Sequence, residues 1–185
     1  MRLGSACRGA ARCIALALVG AIGTVAFAAA APSLERAPAP EFSVRALDGR
    51  DLRLSALRLQ GPVIVEFWAT WCEPCREALT ELETWRKQYG PRGLAIVAIS
   101  VDGPRNISKV RPYVARLHLG YSIVIDEDQR LQRSYQASQM PTTFLVDRAG
   151  NVASIRVGYR RGDTSFATRL ESLFRADSTA ADSAR

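Results

Sequence analysis

The sequence predicts one α/β domain: a mixed sheet with helices on both faces. Three observations predict it. The apolar runs at Val63–Trp68 and residues 94–101 are separated by Glu73–Tyr89, where apolar residues recur at helical spacing. The same strand-and-helix alternation then repeats through residues 107–119 and 121–126. A strand, a tight turn, a second strand and a last amphipathic stretch close the chain, which adds antiparallel strands to a sheet begun in parallel.

The elements follow in order. Residues 41–44 alternate, Leu47-Asp48-Gly49-Arg50 signals a turn, and residues 51–54 return, which reads as a β-hairpin. Residues 55–59 form a short helical turn. Val63–Trp68 has the composition of a central strand, buried on both faces. In Glu73–Tyr89, Leu79, Leu82, Trp85 and Tyr89 make a buried stripe, and Gly90-Pro91-Arg92-Gly93 ends the helix. Residues 94–101 are the next buried strand. A second helix over residues 107–119 is expected to break or restart around Pro112. Residues 121–126 form a strand and 128–135 a short helix. Strands at 142–147 and 152–157 flank the turn at 148–151. A helix over 164–174 closes the domain, taken as residues 41–175, and the polar, small tail of residues 176–185 is expected to be flexible.

The N-terminal segment reads as an address. Residues 1–12 are basic, and residues 13–31 are uncharged, mostly apolar and end in four alanines before Pro32. Residues 1–31 are a signal peptide or a membrane anchor, and the alanine run favours cleavage. The positive flank stays inside under either reading, so the domain is exported to the periplasm, soluble or tethered. Residues 32–40 contain three prolines and are expected to be a linker.

The formal net charge is +7, and +4 without Arg2, Arg8 and Arg12 of the leader. The remaining basic residues are scattered among acids, so no nucleic-acid partner is expected. Of four cysteines, Cys7 and Cys13 lie in the leader, leaving Cys72 and Cys75. One pair is too few for a disulfide scaffold and lacks the further ligands of a zinc site, so neither metal nor cofactor is expected. The sole histidine, His118, is expected at the surface or at its boundary with the core.

Cys72-Glu73-Pro74-Cys75 carries the chemistry. At the junction of a strand and a helix, the first sulfur lies at the helix N-terminus, where free N–H groups and the dipole favour a thiolate. The second lies one turn inside, shielded but able to close a disulfide. Unequal thiols of this kind suit reversible disulfide exchange. Pro74 sits where a missing N–H costs little. Glu66, in an otherwise apolar strand, should have a raised pKa if it is buried, the alternative being an edge glutamate that reaches solvent.

Residues Trp68-Ala69-Thr70-Trp71-Cys72-Glu73-Pro74-Cys75, with Met140-Pro141-Thr142 downstream, resemble the active site of thioredoxin-fold thiol–disulfide oxidoreductases. More narrowly, the chain resembles the exported TlpA/ResA-like redoxin branch over about residues 39–174. The resemblance implies a thioredoxin-like fold with an N-terminal β-hairpin and a central αβ insertion. It implies Cys72 as nucleophile, Cys75 as resolving thiol, Glu66 as proton acceptor for Cys75, and Pro141 as a cis proline facing the pair. Trp71, Glu73, Pro74, Met140 and Thr142 would meet the substrate. Implied partners are disulfide-bearing exported proteins and a membrane electron donor, and a monomer is expected. One departure stands out. The branch usually has a glutamate three residues and a proline five residues after the second cysteine, where this chain has Ala78 and Thr80. That weakens assignment to its cytochrome-maturation subgroup and moves acid–base duty toward Glu66. Two other readings remain: a peroxiredoxin-like peroxidase, and a soft-metal carrier using Cys72, Cys75 and Met140 for copper.

Overall fold

The computed structural model of the protein describes residues 34–183, so the leader expected over residues 1–31 lies outside the described part. Strands β1 (Ser43–Arg45) and β2 (Asp51–Arg53) form the predicted hairpin as a two-stranded sheet of their own. One helical turn, α1 (Leu54–Leu57), follows and buries Leu54. The Leu47 N–H donates to the Ile123 carbonyl and hooks the hairpin to the edge of the main sheet.

The main sheet contains β3 (Val63–Trp68), β4 (Ala95–Ser100), β5 (Ser122–Ile125), β6 (Thr142–Val146) and β7 (Val152–Val157), in the order β5-β4-β3-β6-β7. Pairing is parallel from β3 to β5 and antiparallel from β3 through β6 to β7. β3 is central and all six of its residues are buried, as an unbroken apolar run requires.

Helix α2 (Glu73–Tyr89) links β3 to β4, and α3 (Ile107–Leu117) links β4 to β5. Both crossovers step in the same direction, so the right-handed rule puts both helices on one face. Ring contacts agree, since Trp68 of β3 stacks on Tyr113 of α3 with centroids 5.5 Å apart. Helix α5 (Ser165–Ser183) joins α2, with Phe166 stacked on Trp85 and Phe174 on Tyr89. On the opposite face Phe67 meets Phe144 and Tyr135, and Tyr135 follows the short helix α4 (Arg130–Ser134). Period-two alternation therefore turns Ile64, Glu66 and Trp68 toward α2 and α3, and Val65 and Phe67 away.

Three details differ from expectation. Helix α3 runs unbroken through Pro112. Pro112 and Ser108 are both exposed, so solvent can take up the Ser108 carbonyl that the proline leaves without its usual donor. Helix α5 continues beyond Phe174 to Ser183, through a stretch rich in alanine and free of glycine and proline. Within the expected linker, Arg36 and Ala39 donate to the Val152 and Gly150 carbonyls, and Ala37 accepts from Val152. The Arg36 and Ala39 N–H groups, on either side of Pro38, thus pair with the first residue of β7 and with the turn before it.

Candidate active site

Cys72 is the N-cap of α2 and is disulfide-bonded to Cys75, with Cα atoms 5.3 Å apart. Pro74 occupies the first turn, where no intrahelical donor is lost. Both cysteines are buried in this oxidised form, Cys72 at 5% exposure and Cys75 at 0%. The inequality expected of them is thus present in sign but small. Exposure belongs to the neighbours. Glu73 and Pro74 are exposed, and Trp71 is 63% exposed, an apolar surface beside the sulfurs.

Cys75 begins the buried stripe of α2 that continues through Ala78, Leu79 and Leu82. Beneath α2 lies Glu66, which is fully buried, so the edge-glutamate alternative falls away. Neither of its oxygens has a hydrogen-bond partner of ordinary geometry, although the Thr143 hydroxyl lies close enough to favour the charged form. Burial dominates and pushes Glu66 up from 4.5 to about 7, against the pull of Thr143 and Arg156 and with a push from Glu81. A carboxyl poised near neutrality can take or give a proton at working pH.

Pro141 follows a cis peptide bond from Met140 and is buried at the start of β6. Met140 is half-buried against the core. Thr142 pairs in register with Phe67 of β3 and donates its hydroxyl to the Gln139 carbonyl at 2.6 Å. The Met140-Pro141 loop therefore sits beside the end of β3, from which the cysteine loop departs. Trp68 is fully buried and packs on Tyr113, while His118 is exposed at the end of α3. Among the described residues, no three His, Cys, Asp or Glu side chains are grouped to hold a metal.

Two sets of residues were missed in the sequence. Asp102, fully buried just past β4, accepts from the Thr70 N–H at 2.9 Å, the Thr70 hydroxyl at 2.7 Å and the Ser100 hydroxyl at 2.7 Å. It thereby pins the loop that presents Trp71 and Cys72. The second set is Thr143, Arg156 and Glu81, which surround Glu66. The signal for Asp102 was an acid directly after an apolar strand. That for Arg156 was an arginine inside strand Val152–Val157.

A sequence profile of the AhpC/TSA family matches residues 36–155, more than half of the chain. The chain belongs to the AhpC/TSA family. Thiol-disulfide oxidoreductase ResA of Geobacillus thermodenitrificans (strain NG80-2) is 36% identical over 121 residues, covering 65% of this chain and 67% of that protein. ResA of Bacillus subtilis (strain 168) is 32% identical over 149 residues, covering 78% and 82%. The crystal structure of a thiol:disulfide interchange protein of the thioredoxin family from Chlorobium tepidum TLS aligns with a TM-score of 0.64 at 27% identity, covering 78% of this chain and 98% of that one. These likenesses agree with a thioredoxin-like fold and, with the Cys72–Cys75 disulfide, make this AhpC/TSA-family member a thiol–disulfide oxidoreductase.

Proposed function

We propose that the protein is exported and reduces disulfides of exported proteins, with Cys72 as nucleophile, Cys75 as resolving thiol and Glu66 as proton acceptor. The observation that carries this reading is a disulfide at the start of α2 above a fully buried carboxyl that has no hydrogen bond of ordinary geometry. In the reduced protein the Cys72 thiolate attacks one sulfur of a partner disulfide. A Cys72–partner disulfide forms, and the other partner sulfur leaves as a thiolate. Glu66 takes the Cys75 proton, and the Cys75 thiolate attacks Cys72 sulfur, releasing the second partner thiolate. The partner gains two electrons, and the pair is left as the disulfide seen here. An external dithiol, supplied at the membrane, returns it to the reduced state.

Trp71 offers the apolar landing surface, and the Met140 backbone an extended partner for the substrate strand. Glu73 places a negative charge beside Cys72, which disfavours its thiolate and favours electron donation. A reduction potential of the Cys72–Cys75 couple below that of glutathione is expected. The relatives' name, thiol-disulfide oxidoreductase, supports exchange chemistry over peroxide reduction or metal carriage. Ala78, in place of the branch's usual glutamate, makes Glu66 the acid of this site.

The decisive experiment is trapping. Cys75→Ser is expected to accumulate mixed disulfides with a disulfide-bearing protein, because attack proceeds without resolution. Cys72→Ser should trap none and lose exchange entirely. Equal trapping by both variants would refute the division of labour.

A further inference from the structure

Arg156 has no role in the chemistry as written, yet it is nearly buried, at 8% exposure, in the strand two places from Glu66. Register aligns the two. Glu66 of β3 faces Thr143 of β6, and Thr143 faces Arg156 of β7, so the three side chains form one row across the sheet, its ends roughly 10 Å apart at Cα. Arg156 Nε donates to the Thr143 hydroxyl at 3.3 Å, and Nη1 donates to Glu81 of α2 at 2.7 Å. Its guanidinium lies 5.0 Å from the Phe166 ring centroid, 5.3 Å from that of Trp85 and 5.6 Å from that of Tyr159. An aromatic wall thus fixes a cation in a place where it is costly to bury.

What remains unmet in this row is informative. Five buried side-chain polar atoms among the described residues lack a hydrogen bond, and three of them are the two Glu66 oxygens and Arg156 Nη2. A buried anion site and a buried donor of opposite charge share one layer, each with spare capacity.

We propose that Arg156 is a positioning residue for the reaction, and that its guanidinium, divided between Glu81 and Glu66, governs when Glu66 holds a proton. This rests on the reading of Glu66 as proton acceptor for Cys75. The surroundings of Glu66 admit few competitors. From β4 its register partner is Ala98 and from β6 it is Thr143, while Phe166 of α5 lies over the Arg156 guanidinium. Tyr121 leads into β5, and its phenol is pushed up chiefly by burial and further by Glu66 and Glu83. It donates to the Leu79 carbonyl and brings no charge. From α2 comes Glu81, and Cys75 of the same helix is held in the disulfide. Arg156 is thus the cation that favours ionised Glu66, and Glu81 opposes it directly while also drawing Arg156 away.

The two ends of the ion pair should act with opposite sign. The measurement is a ¹³C titration of the Glu66 side-chain carboxyl in the full oxidised chain. Arg156→Met should move its midpoint upward by roughly one pH unit or more. Arg156→Lys, which keeps the charge, should hold it near the wild-type value. Glu81→Gln should move it downward. Glu81→Gln and Arg156→Lys keep the test valid if Arg156→Met does not fold. A midpoint that stays in place in Glu81→Gln, or moves upward there, overturns the proposal, as does an unmoved midpoint in a folded Arg156→Met. The pH profile of mixed-disulfide resolution separates the two ideas. If the midpoints move as stated and the profile does not follow, Glu66 is not the acceptor: Arg156 then sets the Glu66 proton, and its positioning role in the reaction is overturned. If the profile needs Glu66 and the midpoints ignore Arg156 and Glu81, this proposal fails alone.

Discussion

Glu66, in the central strand, and Asp102, just past β4, are both fully buried acids near the cysteine loop. Asp102 has its carboxylate engaged by three donors from Thr70 and Ser100. Glu66 has none of ordinary geometry. An acid whose bonds are all met is a post that fixes a loop, and its charge is compensated where it stands. An acid left without donors has its charged form disfavoured by burial, so its proton becomes labile near neutral pH. The difference lies in the backbone. Asp102 sits at a strand end, where loop N–H groups are free to reach it. Glu66 sits mid-strand, where every neighbouring N–H is committed to the ladder.

If that contrast is right, removing the two acids should have opposite effects on stability. Asp102→Ala should destabilise the domain by ~3–4 kcal/mol in urea unfolding, because buried donors at Thr70 and Ser100 lose their acceptor. It should also slow exchange, since the Cys72 loop loses its anchor. A loss under ~1 kcal/mol would mean the loop is held elsewhere.

Glu66→Gln should stabilise. The carboxyl has a pKa of about 7 in the folded protein and an ordinary value of 4.5. Between those values the folded state holds a proton that the unfolded state has released, so stability falls as pH rises from about 4.5 through 7. The wild type carries the full penalty above that window and almost none below it. The variant should therefore gain ~2–3 kcal/mol at about pH 8.5 and little at about pH 4. An equal gain at both pH values would show that packing, and not ionisation, was relieved.

Thr70→Val is the finest probe. It removes the hydroxyl bond to Asp102 and keeps the N–H bond, so a loss of ~1 kcal/mol is expected, with exchange reduced a few-fold. An effect as large as that of Asp102→Ala would mean the hydroxyl alone holds the loop.

Much of this was legible in the chain. The strand-and-helix alternation gave the sheet, and the Trp71-Cys72-Glu73-Pro74-Cys75 sequence placed the disulfide at a helix start, because periodicity and local motif chemistry are properties of neighbouring residues. Glu66 was visible as an acid in an apolar strand. Its partners were not, because Thr143 and Arg156 meet it only through strand register, which joins residues 77 and 13 positions apart along the chain. Pro112 misled for a related reason. A proline signals a break from local sequence alone, whereas its tolerance depends on which face of α3 meets solvent. The length of α5 was underestimated where polar composition was weighed above alanine's helix propensity.

The pH dependence of mixed-disulfide resolution tests the role of Glu66. A Cys72–partner disulfide would be formed in the wild type and in Glu66→Gln, and its decay followed between about pH 5 and 9. In the wild type the rate should rise through an inflection near or above 7, shifted upward where the Cys75 thiolate and Glu66 titrate together. In Glu66→Gln that inflection should be missing and resolution slower at neutral pH. Superimposable profiles for the two proteins would contradict Glu66 as the proton acceptor.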